Sequence, residues 1–340
     1  MAAAGSLTLP SRARSLLRRS YVASLRRLPV HLPRQVGLFE ALAYPFVGSF
    51  EWMRRHLLII EELERIRVAQ RRPHLTVLDF GGADGSLARA LRLYRVAGRY
   101  RLVLADTDRS AVDAAPIDEL IVRRLVIDRP PLPLPDGSVD VAVSSDVFEH
   151  IPRPLRAAWA GELCRVARFG QIHTMPLDST DGRWASSAAD REFARWYADR
   201  YGRAEPWTAE HLAYGPPTVA ELGSIFGAAS VLGFGNVQIW QRFVRDEFTP
   251  APPWRRLTFA LLHLPELRSG DATPPFKSAL VVSPGRQGEA KDPPASAADV
   301  GRQPSDGSEH QICASEYQDA DSVRRSEDGD CADARGEGDG

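Results

Sequence analysis

The chain has 340 residues, of which 44% are hydrophobic and 26% charged, and its formal net charge is −1. These proportions are ordinary for a globular protein and exclude a collagen-like, coiled-coil or wholly disordered chain. No run of 18 or more apolar residues is present, as a membrane-crossing helix needs, and the near-neutral balance excludes a molecule whose whole surface attracts nucleic acid.

The charge is unevenly spread. Residues 1–35 hold seven arginines and no acidic residue. On a helical wheel Leu17, Tyr21, Leu25 and Leu28 share a face, with Arg12, Arg18, Arg19, Arg26 and Arg27 mostly opposite, which is a basic amphipathic pattern. Three readings stay open for this extension. It is a solvated arm, an interfacial helix making peripheral membrane contact through residues 12–28, or an organellar transit segment. Residues 285–340 form an acidic tail, rich in Gly, Ser, Asp, Glu and Pro, that buries too little apolar surface to order itself and is expected to be disordered. The three cysteines, Cys164, Cys313 and Cys331, show no metal-ligand spacing, and no apolar signal core opens the chain. Both observations predict a reducing, cytoplasmic setting.

Between these arms, residues 36–284 read as one domain. Helices are expected over 38–71, broken near Pro45, with Trp52, Leu57, Leu58, Ile60, Leu63 and Ile66 as the apolar set. From His74 strand and helix alternate. "HLTVLDF", "YRLVLAD", "LIVRRLVI", "VDVAVSS" and "GQIHTM" read as strands, with "GSLARALRLYRV" and "PLRAAWAGELCRVA" as helices between them. This order predicts an α/β fold built on a doubly wound, mostly parallel sheet, with a cofactor-binding core at 74–177. Residues 178–227, dense in aromatics, read as a helical insertion after the fifth strand. Its aromatics cover an acceptor pocket, form the packing face of a helix pair, or do both. Thr218 and Glu221 are spaced as a capping box. In 228–284, "NVQIWQRF" and "KSALVVS" read as late strands, completing seven, with a helix near 254–264 between them.

The first strand runs into "VLDFGGADGSLARAL". Small residues there let the backbone turn tightly and approach a ligand, and the following helix offers free N–H groups and a positive dipole end. A dinucleotide fingerprint wants glycine at the first, third and sixth places. Counted from Gly81, those places hold Gly81, Ala83 and Ser86, so the spacing speaks against a nicotinamide cofactor. Asp79 sits at the end of this strand. Asp106 ends the second strand, 21 residues after Gly85, where a carboxylate accepts ribose hydroxyls in doubly wound folds. Asp128 follows the third strand, and three acidic residues at successive strand ends are not explained by packing.

From about Leu75 to Leu177 the sequence resembles the class I S-adenosylmethionine-dependent methyltransferases. "VLDFGGADG", "LVLADTD", "LPLPDGSVDVAVSSDVFEHIP" and "ELCRVARFGQIHTMP" match the family's ordered motifs. The departures are Ala83 in place of a middle glycine and "RFGQ" at a turn. The resemblance implies S-adenosyl-L-methionine as cofactor. It also implies Asp79, Gly81, Ala83 and Gly85 at the methionine end, Asp106 and Thr107 at the ribose, Asp128 and Arg129 at the adenine, and Ser145 and Asp146 closing the site. The implied activity is methyl transfer by in-line displacement, which rests on positioning and water exclusion.

An oxygen acceptor also needs a general base, and histidine is the usual choice. His150, His211 and Asp178 are the candidates, and His173 reads instead as a buried strand residue. No residue pattern calls for a metal. The expected acceptor is a small molecule, a sugar or a lipid-linked hydroxyl rather than nucleic acid. Two alternatives remain: a cofactor-binding scaffold without catalysis, and a nicotinamide-dependent oxidoreductase.

Overall fold

The computed structural model describes residues 38–47, 49–82, 85–179, 181–182, 184–227, 229–263 and 275–282. The basic extension at 1–35, Ala83 and the acidic tail lie outside them. Among the described residues, no helix is long and apolar enough to cross a membrane.

Two helices, α1 (Leu38–Val47) and α2 (Phe50–Ala69), precede the sheet. The break between them falls near Pro45, as expected, just after Val47, with Pro45 itself inside α1. Ser49 caps α2 by accepting a hydrogen bond from the Trp52 N–H at 3.1 Å, so the capping residue rather than the proline sets the boundary. Phe50, Met53, Leu57, Ile60 and Leu63 recur every three or four residues and are buried, which lays one face of α2 on the core.

The sheet is built from β1 (Leu75–Phe80), β2 (Tyr100–Asp106), β3 (Ile121–Val126), β4 (Val141–Ser145), β5 (Gln171–Pro176), β6 (Ala229–Asn236) and β7 (Pro275–Val282). Its order is β3-β2-β1-β4-β5-β7-β6. The first five strands pair in parallel, and β7 runs antiparallel to both β5 and β6. Order reverses at β1, which lies between β2 and β4, and ligands of such sheets bind beyond the carboxyl ends of the strands at this switch point.

Strand periodicity divides the core between the two faces of the sheet. Leu75, Val77, Leu102, Leu104, Val141 and Val143 join α2 and α3 (Ser86–Leu93) on one face. Leu78, Phe80, Val103, Ala105 and Ala142 join α5 (Arg153–Val166) on the other. A short α4 (Arg109–Ala114) links β2 to β3. Between β5 and β6 come α6 (Ser186–Tyr201), α7 (Pro206–Tyr214) and α8 (Val219–Phe226). The capping box of Thr218 and Glu221 opens α8 with both of its reciprocal bonds in place.

One expected strand is a helix. "NVQIWQRF" falls mostly in α9 (Val237–Phe248), and the sixth strand is the preceding Ala229–Asn236. The β-branched and aromatic residues invited the strand reading. Their three- and four-residue recurrence serves a helix instead, with Phe243 buried against Tyr44, Phe50, Met53 and Ala260 of α1, α2 and α10 (Pro253–Leu262). The Tyr44 hydroxyl donates to Asp246 Oδ2 at 2.8 Å across this packing.

Candidate functional site

The loop leaving β1 is shaped by glycine. Gly81 has φ +75° and its N–H donates to the Ala105 carbonyl at 2.8 Å, tying the turn to β2. A Cβ on Gly81 would lie 2.3 Å from Val147 Cγ2, and one on Gly82 would lie 2.2 Å from Asp79 Cγ. Gly81 thus meets the segment after β4, while Gly82, not singled out from sequence, lets the buried Asp79 carboxylate tuck beneath the turn. Gly85 opens α3 at φ +69° and, as glycine, gives its first N–H groups no side-chain cap.

Asp106 stands half-buried at the end of β2, where its Oδ1 accepts from the Asp108 N–H at 3.0 Å and from the Thr107 hydroxyl at 3.5 Å. Asp108 in turn caps α4, accepting from the Ser110 hydroxyl and from the Ala111 and Ser110 N–H groups, and these bonds hold its carboxyl below the usual range. Asp128 and Arg129 are exposed just beyond β3. The Ile127 N–H donates to the Asp106 carbonyl at 2.9 Å, which keeps that loop beside β2.

At the end of β4, the Ser145 hydroxyl accepts from Thr174 Oγ1 at 3.3 Å. Asp146 takes φ +56°, uncommon for a residue with a side chain. Its N–H donates to the Thr174 carbonyl at 2.8 Å, and its carboxylate pairs with Arg55 of α2. Arg55 was not legible as a site residue, because it precedes the whole sheet in sequence.

Past Asp146, Phe148–His150 form one 3-10 turn that brings Glu149 and His150 against α7. Glu205 caps α7 by accepting from both the N–H and the hydroxyl of Thr208 at 2.7 Å. Arg156 Nη2 donates to the Gly215 carbonyl at 2.7 Å, and Arg153 Nε to the Tyr214 carbonyl at 3.2 Å. The helix is therefore fixed at both ends, and His150 and His211 meet with their Nε2 atoms 3.1 Å apart. His150 Nδ1 lies 2.6 Å from Glu210 Oε2, and His211 Nδ1 lies 3.2 Å from Asp190 Oδ2. The Glu149 carboxylate, fully buried, reaches within 3.9 Å of His211 Nε2. The edge of Trp207 packs on His150 at 5.3 Å between ring centroids.

The structure thus brings His150 and His211 together and leaves Asp178 elsewhere. Asp178 Oδ1 accepts from the Ser187 N–H at 3.0 Å, Oδ2 is bonded to the Ser187 hydroxyl, and its backbone bridges to Ala185 and Thr218. Its carboxylate anchors the start of α6. His173 is fully buried, with Nδ1 2.8 Å from Ser144 Oγ and Nε2 2.9 Å from Gln171 Oε1. Burial lowers its pKa to about 3, so the ring is neutral. The insertion's aromatics divide: Phe193 and Tyr197 pack on Phe248 of α9 at 5.4 Å, whereas Trp207 is exposed beside the histidines. Glu149, Glu210 and Asp190 were missed, although the sequence carries Glu-His dipeptides at 149–150 and at 210–211, besides one in the tail at 309–310.

Residues 51–213 match the profile of a methyltransferase domain family. An uncharacterized methyltransferase of Mycobacteroides abscessus is 32% identical over 139 residues, covering 37% of this chain and 51% of the relative. Another from Mycobacterium sp. (strain KMS) is 39% identical over 97 residues, covering 28% and 36%. The chain therefore spans about half or less of the length of these relatives. Among solved structures, a SAM-dependent methyltransferase from Aquifex aeolicus is 22% identical with TM-score 0.26, covering 35% of this chain and 66% of that one. The magnesium protoporphyrin IX methyltransferase of Synechocystis PCC 6803, solved with bound SAH, is 15% identical with TM-score 0.36, covering 79% and 100%. The segment 51–213 thus matches a methyltransferase domain family, and the order of the parallel strands and the turn after β1 agree with that match.

Proposed function

We propose that this protein transfers a methyl group from S-adenosylmethionine to a hydroxyl oxygen of a small molecule, a sugar or a lipid-linked acceptor. The residues suit the cofactor. The uncapped start of α3 and the glycine turn offer N–H groups to a carboxylate, which a helix N-terminus favours. Asp106 at the end of β2 is placed to accept ribose hydroxyls, and Asp128 lies on the next loop. When bound, the cofactor supplies an electrophilic methyl group on a sulfonium.

The protein's share is to hold the acceptor beside that group and exclude water. The observation that carries the acceptor reading is the contact between Gly81 and Val147. It joins the turn after β1 to the segment that presents Glu149 and His150. A hydroxyl has a high pKa and becomes a competent nucleophile only where its proton can be taken or its charge offset. The cluster of two imidazoles and three carboxylates that follows Val147 has that capacity. A membrane-linked acceptor would agree with the amphipathic arginines of the N-terminal extension, and a cytoplasmic setting with the sparse cysteines.

The test is transfer of label from methyl-tritiated S-adenosylmethionine into a cell extract separated into soluble and lipid fractions. Label in a small-molecule or lipid fraction, resistant to mild base and lost with Asp106→Ala, supports the reading. Label only in protein or nucleic acid overturns the acceptor assignment.

A further inference from the structure

We propose that Glu149, His150 and His211 form a binding site for one divalent first-row transition ion. His150 Nδ1 faces Glu210 at 2.6 Å and His211 Nδ1 faces Asp190 at 3.2 Å. An ionised carboxylate accepts and cannot donate, so each ring spends its N–H on its carboxylate. Each Nε2 then carries a lone pair, and the two lone pairs face each other across 3.1 Å. Two acceptors do not bond to one another, so a positive centre belongs between them.

The surroundings favour that centre being a metal ion. Glu149 is fully buried and its Oε1 lies 3.9 Å from His211 Nε2. The three ligand atoms all fall within 4.8 Å of one another. Imidazole nitrogens bind such an ion at about 2.0–2.1 Å, which places two ligands of one ion roughly 3.0–3.4 Å apart. The observed pair is within that range, and the Glu149 oxygen, 3.9 Å from His211 Nε2, needs to move inward by roughly 0.5–1.5 Å to join both. Glu210 and Asp190 hold the rings by their far nitrogens, as carboxylates hold metal-ligating histidines elsewhere. Two imidazoles with one carboxylate suit zinc, manganese, iron or cobalt better than magnesium or calcium, which prefer oxygen alone.

Three protein ligands leave coordination positions open. On the reading of methyl transfer to oxygen, which this site deepens, an acceptor hydroxyl would take one of them and be polarised there. Binding of the ion itself does not depend on that reading. The metal call reverses the expectation from sequence, where each histidine was weighed singly as a base. The pairing of 150 with 211 becomes visible only in the fold.

The experiment uses the full-length protein, stripped with chelator and titrated calorimetrically with Mn2+, Zn2+ and Mg2+, with the visible absorption of added Co2+ as a second readout. The proposal predicts one Mn2+ or Zn2+ per chain at micromolar affinity or tighter, weaker Mg2+, and a Co2+ spectrum of low-symmetry nitrogen and oxygen ligation. His150→Gln and His211→Gln should each weaken binding at least a hundredfold. Glu210→Gln leaves both imidazoles in place and should weaken it ten- to a hundredfold, which covers the case in which a histidine variant fails to fold. Absence of saturable binding in protein with a native circular dichroism spectrum overturns the site, as does binding unchanged in all three variants. Ion binding without S-adenosylhomocysteine binding supports the site and contradicts the methyl-transfer reading.

Discussion

Gly81 and Val147 touch so closely that a single methyl group on Gly81 would lie 2.3 Å from Val147 Cγ2. The turn after β1 and the segment after β4 therefore share one wall, and the donor and acceptor halves of the proposed site are set by one contact. Gly81→Ala should destabilise the fold by about 2–4 kcal/mol, from the left-handed backbone and the overlap together. It should also weaken S-adenosylhomocysteine binding. Adding Val147→Ala should restore part of both losses, as urea unfolding and calorimetry would read. Independent effects of the two changes would mean that the contact does not couple them.

Asp106→Ala should lower cofactor affinity about ten- to a hundredfold, the loss of a hydrogen bond to a charged acceptor being worth about 1.5–3 kcal/mol. Calorimetric titration measures it directly. Unchanged affinity would place the ribose elsewhere.

Arg156 is fully buried and donates to the Ile151 and Gly215 carbonyls and to Glu221 Oε1 at 2.9, 2.7 and 3.0 Å. It stitches α5 to both α7 and α8. Arg156→Ala should cost about 3–5 kcal/mol, because it leaves these acceptors without their cation. Lysine should not restore the loss, since its single ammonium cannot span the same three acceptors. Thermal unfolding of both variants checks this, and a Tm near wild type in either contradicts it.

Glu247, half-buried, and His173, fully buried, set opposite pH dependences. Burial and the nearby Glu51 push Glu247 up to about 8 from its ordinary 4.5. The native state holds this proton where the unfolded chain has lost it. Its stabilisation is thus complete below about 4.5 and falls as pH rises through 8, by about 1.4 kcal/mol per unit. Glu247→Gln keeps the acceptor for the Phe50 N–H, bonded at 3.0 Å, and cannot ionise. The variant should be more stable than wild type at pH 8, and equal or lower stability would show that Glu247 is ionised there.

His173 acts at the acid end. Its pKa is lowered to about 3 from 6.5 by burial. Below about 6.5 the unfolded chain takes up a proton that the native ring refuses, so stability falls as pH drops from there toward 3, at about 1.4 kcal/mol per unit. Its imidazole resonances should stay in the neutral form down to about pH 4. A midpoint near 6.5 by NMR would contradict its hydrogen-bonded burial.

The central parallel strands were legible because they are covered on both faces and read as short apolar runs, Leu75–Phe80 and Val141–Ser145 among them. Asp79, Asp106, Gly81 and Gly85 were legible because they sit at strand ends and turns, where local sequence dictates position. Val237–Phe248 was not, because its β-branched and aromatic residues serve a helix packed on α1 and α2. The cluster was not legible either: Arg55, Asp190 and Glu210 reach the end of β4 only through topology. The Glu-His dipeptides at 149–150 and 210–211 were the one local signal, and each supplies a carboxylate to the other's imidazole.

The most direct measurement is calorimetric titration of the purified protein with S-adenosylmethionine, S-adenosylhomocysteine and NAD. Saturable 1:1 binding of the first two, weakened by Asp106→Ala, with no binding of NAD, is the predicted result. Binding of NAD alone, or of S-adenosylmethionine undiminished in the Asp106 variant, would contradict the account of the site.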